Sequence, residues 1–307
     1  MTTFARTAFS ASNYAAFRPS YPASLYNTVL NFHRGSPAPR WNSLLDLGCG
    51  HGLISRAMSP HFGSILATDP SPGMVSQAQS TTKESNISFR QGSAEDLSII
   101  EKDGSVDMVV AGQAAHWFDY ARVWPNLARV VGQGGTLALW GYKDNILLGR
   151  EQATQIMERY VYGFGEVANV RGRSIEGMGR FWEQPGRNKL RDLLRSVKPP
   201  TEEWEDITRL EHEPGAQGDP EEAVWQKKTM KLGEVEGYTR TFSCFTAWKE
   251  GNPDSVARKD GGEGDIIDVM WDEMVAAVPE WKAMGERWRE AEVESDWGTY
   301  IILARRR

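Results

Sequence analysis

Cysteine is almost missing from this chain: Cys49 and Cys244 are the only two among 307 residues, and neither has neighbours spaced as metal ligands. That excludes a disulfide framework and points to a reducing, cytoplasmic compartment. An excess of positive charge is missing too. The formal charge is -6 at pH 7, which argues against a nucleic acid or an anionic membrane as partner. No run approaches the ~20 apolar residues needed to span a bilayer, and the opening Met1-Thr2-Thr3-Phe4-Ala5-Arg6 lacks the apolar centre of a signal peptide. Internal repeats, an EF-hand, a zinc-ligand cluster and a G-x-x-x-x-G-K phosphate loop are all absent, so no metal and no nucleoside triphosphate is expected. With 40% hydrophobic residues, a chain of 307 can bury one sizeable core and carry a lobe on it.

The chain is organised around Leu44-Leu45-Asp46-Leu47-Gly48-Cys49-Gly50-His51-Gly52, followed after a helix-length interval by Ser64-Ile65-Leu66-Ala67-Thr68-Asp69. An apolar run that breaks into alternating glycines reads as a buried strand leaving by a tight turn, with a helix starting beneath it. Asp69 ends the second apolar run, where a carboxylate can accept both hydroxyls of a ribose. A dinucleotide turn requires G-x-G-x-x-G. Here the third glycine comes one residue early, and Asp46 stands just before the turn, able to face a cation.

On these residues the chain resembles the class I S-adenosylmethionine-dependent methyltransferases, whose first motif, acid-x-G-x-G-x-G, matches Asp46, Gly48, Gly50 and Gly52. The resemblance implies S-adenosyl-L-methionine as cofactor and S-adenosyl-L-homocysteine as product, the turn approaching the methionine part and Asp69 holding the ribose. It further implies that Met74 packs on the adenine, and that Ser93 and Ala94, in Gly92-Ser93-Ala94-Glu95-Asp96-Leu97 after the third strand, recognise the adenine edge. Relatives commonly carry aspartate where this chain has Ser93. Three other segments resemble the trans-aconitate methyltransferase-like, methyltransferase type 11-like branch with its fungal relatives. They are Asn13 to Pro22 with Tyr14, Arg18 and Tyr21, then Gln113-Ala114-Ala115-His116-Trp117-Phe118, then Gly237-Tyr238-Thr239-Arg240-Thr241-Phe242-Ser243. That likeness implies that Tyr14 and Gln113 border the cofactor. It also implies that Arg18, Tyr21, Trp117 and Arg240 bind the acceptor, and that His116 faces the transfer site as a base or carboxylate-binding group.

Each of these residues also has a plainer reading. Residues 1–40 are either an aromatic lid or a packing arm, Met74 is a core residue, His116 a structural imidazole, and Arg240 one half of a salt bridge.

The strand–helix alternation through residue 140 predicts an α/β, Rossmann-like fold: seven strands, mostly parallel, the last antiparallel, with helices on both faces. Strands are expected at 64–68, 87–91, 105–113, 134–140, 203–210 and 298–304. Ser71-Pro72 predicts a helix N-terminus, Trp124-Pro125 the start or a kink of the helix over 120–131, and Lys189 to Val197 a short helix. The domain reading is an arm over 1–40, a cofactor-binding core over 41–140, a helical cap over 141–200 and the rest of the catalytic domain over 201–307. Gly163 to Arg187 and residues 211–222 and 251–264 read as loops.

The function expected is methyl transfer to the carboxylate or hydroxyl oxygen of a small molecule, in secondary metabolism, by a monomer or homodimer. Its rivals are sulfur or nitrogen methylation, a nicotinamide-dependent oxidoreductase, and a cofactor-binding protein without catalysis.

Overall fold

The computed structural model describes residues 20–170, 172–217 and 226–307. Tyr14 and Arg18 lie outside the described residues. The fold is mixed α/β and Rossmann-like, and it divides into two compact units. The described part of the larger comprises residues 20–144, 185–217, 226 and 297–307; that of the smaller comprises 145–170, 172–184 and 227–296.

In the larger unit, α1 (Ala23–Arg34) starts after Pro22 and is followed by β1 (Ser43–Leu47), α2 (Leu53–Met58), β2 (Ser64–Asp69) and α3 (Pro72–Thr81). Then come β3 (Ile87–Gln91), β4 (Val106–Gly112), α4 (Tyr120–Val130) and β5 (Val131–Leu147). After α6 (Gly186–Arg191) and β8 (Trp204–His212), the chain returns as β10 (Glu292–Arg306), whose first five residues belong to the smaller unit and the rest to this one. Strands lie in the order β3-β2-β1-β4-β5-β10-β8. β1 is parallel to β2 and β4, β2 to β3, and β4 to β5, whereas β10 and β8 are antiparallel. The seven strands and antiparallel end expected from the sequence are therefore present.

The inner strands are mostly apolar because both their faces are covered. Leu45, Leu47, Val109, Ala111, Leu137 and Leu139 pack on one side with Val123, Leu127 and Val130 of α4. Leu44, Met108, Val110, Ala138 and Trp140 pack on the other with Val29 and Ile54. Each fully buried aliphatic side chain contributes about 1.5–3 kcal/mol. Local signals agree with this packing. The Ser71 hydroxyl accepts from the Met74 N–H with Pro72 in the first turn, and Asp119 caps α4 through the Ala121 N–H. Pro125 lies inside α4, which starts at Tyr120.

The smaller unit holds α5 (Glu151–Tyr162), β6 (Glu166–Val170), β7 (Arg173–Glu176), β9 (Gln226–Lys231), α7 (Leu232–Thr239), α8 (Ser243–Gly251), α9 (Ile266–Ala277) and α10 (Pro279–Ala283). β9 pairs with β10, an eighth strand beyond the expected set. Two further differences concern 141–200. The glycine-rich stretch read as loop contains the antiparallel hairpin β6–β7, in which Asn169 Oδ1 accepts from the Gly172 N–H. The short helix ends at Arg191 instead of spanning 189–197. The compact units group residues 20–40 and 185–200 with the sheet, and 227–296 with 145–184. Amphipathic helices cause the last grouping, since α9 has its own partner in α5, where Tyr160 OH and Arg159 Nη2 donate to Glu273.

Candidate active site

The turn leaving β1 is built on three glycines with positive φ, Gly48, Gly50 and Gly52. Gly48 and Gly50 have φ of 70° and 54°, a region open to glycine and costly for other residues. The Gly48 and Cys49 N–H groups both donate to Thr68 O, at 2.8 and 3.0 Å. A Cβ on Gly48 would collide with Ala114 Cβ, whereas one on Gly50 would meet no protein atom within 4 Å. Gly52 caps α2, and a Cβ there would lie 2.9 Å from Phe89 Cζ. The first and third glycines thus answer to packing inside the protein. The second faces open space.

Two buried carboxylates flank the turn. Asp69, at the end of β2, accepts from the Gly50 N–H through Oδ2 at 2.9 Å and from the Ser71 N–H through Oδ1 at 2.8 Å. Burial raises its pKa, and the two N–H donors oppose the rise. Asp46 is fully buried. Its Oδ2 accepts from the Ser55 hydroxyl at 2.5 Å, while Oδ1 has no hydrogen-bond partner among the described residues. Burial pushes its carboxyl up to about 7; Ser55 pulls it down and Asp69 adds to the rise. An unpartnered buried carboxylate oxygen is costly until a donor or cation meets it. Burial, then the charge of Asp46, raises the Tyr26 phenol. Burial together with both acids raises the Cys49 thiol, which disfavours its thiolate.

The other sequence candidates of this unit gather at the same ends of the strands. Asp69 pairs in register with Gln91, and the Gly92 N–H donates to Asp69 O at 3.1 Å, which ties the Ser93-Ala94 segment to the end of β2. Ser93 is half-buried, Ala94 buried, and Met74 3% exposed. Gln113 follows β4, and Ala114 abuts Gly48. His116 is 4% exposed in a 3-10 turn over Ala115–Trp117, with its ring centroid 4.6 Å from that of Trp117. Gly186 at the start of α6 is packed so closely on Trp117 that a Cβ there would lie 2.6 Å from the indole. Tyr21 stands edge-on to Trp140, centroids 5.7 Å apart.

Arg240 belongs to the smaller unit, where its side chain is 11% exposed. Nη1 donates to Asp265 at 2.8 Å, Nη2 to Asp268 at 2.7 Å, and Nε and Nη2 to Glu236 at 3.3 and 3.1 Å. These carboxylates account for its charge without a substrate. Sequence reasoning missed Ser55 and Tyr26, the neighbours of Asp46. A hydroxyl in the helix after the glycine turn was the available signal for Ser55.

Comparison with known proteins agrees with this geometry. Residues 45–139 match the family model of the methyltransferase domain. Aligned over 326 residues, the chain is 26% identical to the Saccharomyces cerevisiae protein named as the S-adenosylmethionine-dependent methyltransferase CRG1, covering 100% of this chain and 99% of that one. It is 33% identical to methyltransferase gedG of Aspergillus terreus over 131 residues, 42% of this chain and 40% of that one. A solved structure named as a type II methyltransferase from Anaeromyxobacter dehalogenans shares the fold, with a TM-score of 0.62 and 24% identity over 94% of this chain and 98% of the other. The chain is a class I S-adenosylmethionine-dependent methyltransferase. S-adenosylmethionine is its cofactor, and the space over Gly50 with the unpartnered Asp46 Oδ1 fits a cationic nucleoside. Among the described residues, no helix is long and apolar enough to cross a membrane and no cluster could hold a metal ion.

Proposed function

We propose that this enzyme methylates the hydroxyl or carboxylate oxygen of a small molecule, in the manner of the trans-aconitate methyltransferase-like branch. The observation that carries the cofactor half of this reading is the turn at Gly48–Gly52, open at Gly50 and flanked by Asp46 and Asp69. Asp69 accepts from the ribose hydroxyls while still holding the Gly50 and Ser71 N–H groups. Asp46, with one oxygen unspent, faces the positive charge of the methionine end. Met74, Ser93 and Ala94 form the adenine side. When bound, the cofactor supplies an electrophilic methyl on a sulfonium.

For the acceptor, this chain has to align an oxygen, exclude water and, where needed, remove a proton. Trp117 and Tyr21 are the walls, and His116 takes the proton of a hydroxyl acceptor. A carboxylate acceptor is already ionised at pH 7 and needs no base. The partner set of Arg240 favours a structural role for it, so acceptor recognition is better sought around His116 and Trp117. The test is incubation with methyl-labelled S-adenosylmethionine and a fractionated metabolite extract. Labelled ester or ether products support the reading; label confined to sulfur or nitrogen, or no labelled product at all, overturns it.

A further inference from the structure

Gln113 stands directly after β4 with φ of 54°, a left-handed conformation that costs a residue with a β-carbon about 1–2 kcal/mol. Its surroundings over-determine it. The backbone N–H donates to Trp140 O at 2.9 Å, carrying the β4–β5 pairing one step past Gly112 and Trp140. The carboxamide then stands in for one more peptide unit: Nε2 donates to Tyr142 O at 2.8 Å, and Oε1 accepts from the Tyr142 N–H at 2.8 Å. Between the two lies Gly141, where a Cβ would come within 2.8 Å of Gln113 Oε1 and also of the Tyr300 hydroxyl oxygen. A side chain at 141 would pry the carboxamide from the strand.

We propose that Gln113 is a positioning residue: its carboxamide latches the turn after β4 onto β5, and so fixes the His116–Trp117 segment, instead of touching the cofactor. This rests on the reading of that segment as the transfer site. The 3-10 turn that carries the segment, Ala115–Trp117, starts two residues beyond Gln113. The Trp117 N–H donates to Ala114 O at 3.0 Å and the Tyr120 hydroxyl to Ala115 O at 2.8 Å, so a shift at Gln113 passes into the turn. The cradle at Gly48–Gly50 keeps its own hydrogen bonds, to Thr68 O and Asp69, and meets the turn where Ala114 abuts Gly48. A displacement of about 1 Å at a reacting group costs up to ~10²-fold in rate.

The test uses the full chain with Gln113→Asn, which tolerates the left-handed backbone but is one methylene too short for Tyr142, and with Gly141→Ala, which leaves Gln113 in place and blocks its seat. Hydrogen exchange of the Tyr142 amide and S-adenosylhomocysteine affinity are read without any acceptor, and kcat with a methylated acceptor. The latch predicts at least ~10-fold faster exchange at Tyr142, cofactor affinity within ~3-fold, and kcat lowered ~10- to 100-fold in both variants and no further in the double variant. Affinity weakened ~10-fold or more with Tyr142 exchange unchanged would assign Gln113 to the cofactor and overturn the proposal. So would unchanged exchange with unchanged kcat. If the wild-type chain methylates no acceptor, the proposed function fails, while exchange and affinity still decide on the latch.

Discussion

Replacing Asp69 by asparagine preserves shape and removes one acceptor. The carboxylate receives the Gly50 N–H on one oxygen and the Ser71 N–H on the other, and the residue is 7% exposed. In asparagine, one of those positions becomes an NH2 pointed at an N–H, so one charge-assisted bond is lost and a buried donor goes unsatisfied, at a cost of about 1.5–3 kcal/mol. If the amide turns to keep Ser71, it is Gly50 that lets go, and the cradle loosens where the cofactor lies. The ribose hydroxyls also lose a charged acceptor. At about 1.4 kcal/mol per tenfold, cofactor affinity should fall at least ~10-fold and up to ~100-fold. Calorimetric titration with S-adenosylhomocysteine measures the affinity, and urea denaturation of the ligand-free samples measures the stability. Lower stability with unchanged affinity would refute the ribose assignment.

Other substitutions separate packing from chemistry. Gly50→Ala should cost the fold only about 1–2 kcal/mol of backbone strain yet weaken S-adenosylhomocysteine by ~100-fold or more, since its Cβ meets no protein atom; matching losses in both assays would contradict the open cradle. For His116→Ala, turnover of a hydroxyl acceptor should drop ~10²-fold or more with cofactor affinity retained, and an unchanged kcat would remove it from the chemistry. Arg240→Ala should lower stability by about 3–5 kcal/mol, because Asp265, Asp268 and Glu236 are left buried without it; a raised acceptor KM with stability intact would restore the substrate role. Asp46 gives a pH dependence of definite sign. Folded, it titrates at about 7 against an ordinary 3.8, so between those values the native state keeps a proton that the unfolded chain has released, and stability falls as pH rises. The stability of Asp46→Asn relative to wild type should therefore climb from about pH 4 to 7 and then level off; a flat difference across that range would contradict the buried, half-satisfied carboxyl.

The sheet was legible because burial on both faces leaves continuous apolar runs, as at 106–112, while the edge strand at 87–91 shows Ile87 and Phe89 alternating with Ser88 and Arg90. Ser71 before Pro72 was legible because a cap is a local contract between a hydroxyl and a nearby N–H. What escaped notice depends on distant partners. β9 reads Gln-Lys-Lys-Thr-Met-Lys, with only Gln226 and Met230 buried, and carries no alternation that names it a strand. The hairpin over 166–176 hides in a stretch whose glycines suggest a loop. The grouping of 227–296 with 145–184 comes from helices meeting across more than a hundred residues, which no local window contains. At the site, the glycine spacing announced the turn, but not that the Gln113 carboxamide is spent on the Tyr142 backbone or that Asp46 keeps an oxygen in reserve.

The most direct trial of the account is a crystal structure of the chain grown with S-adenosylhomocysteine. The account predicts the nucleoside across Gly48–Gly52, both ribose hydroxyls on Asp69 and the amino-acid end toward Asp46. Density elsewhere with that crevice vacant, or a ribose turned away from Asp69, would contradict it.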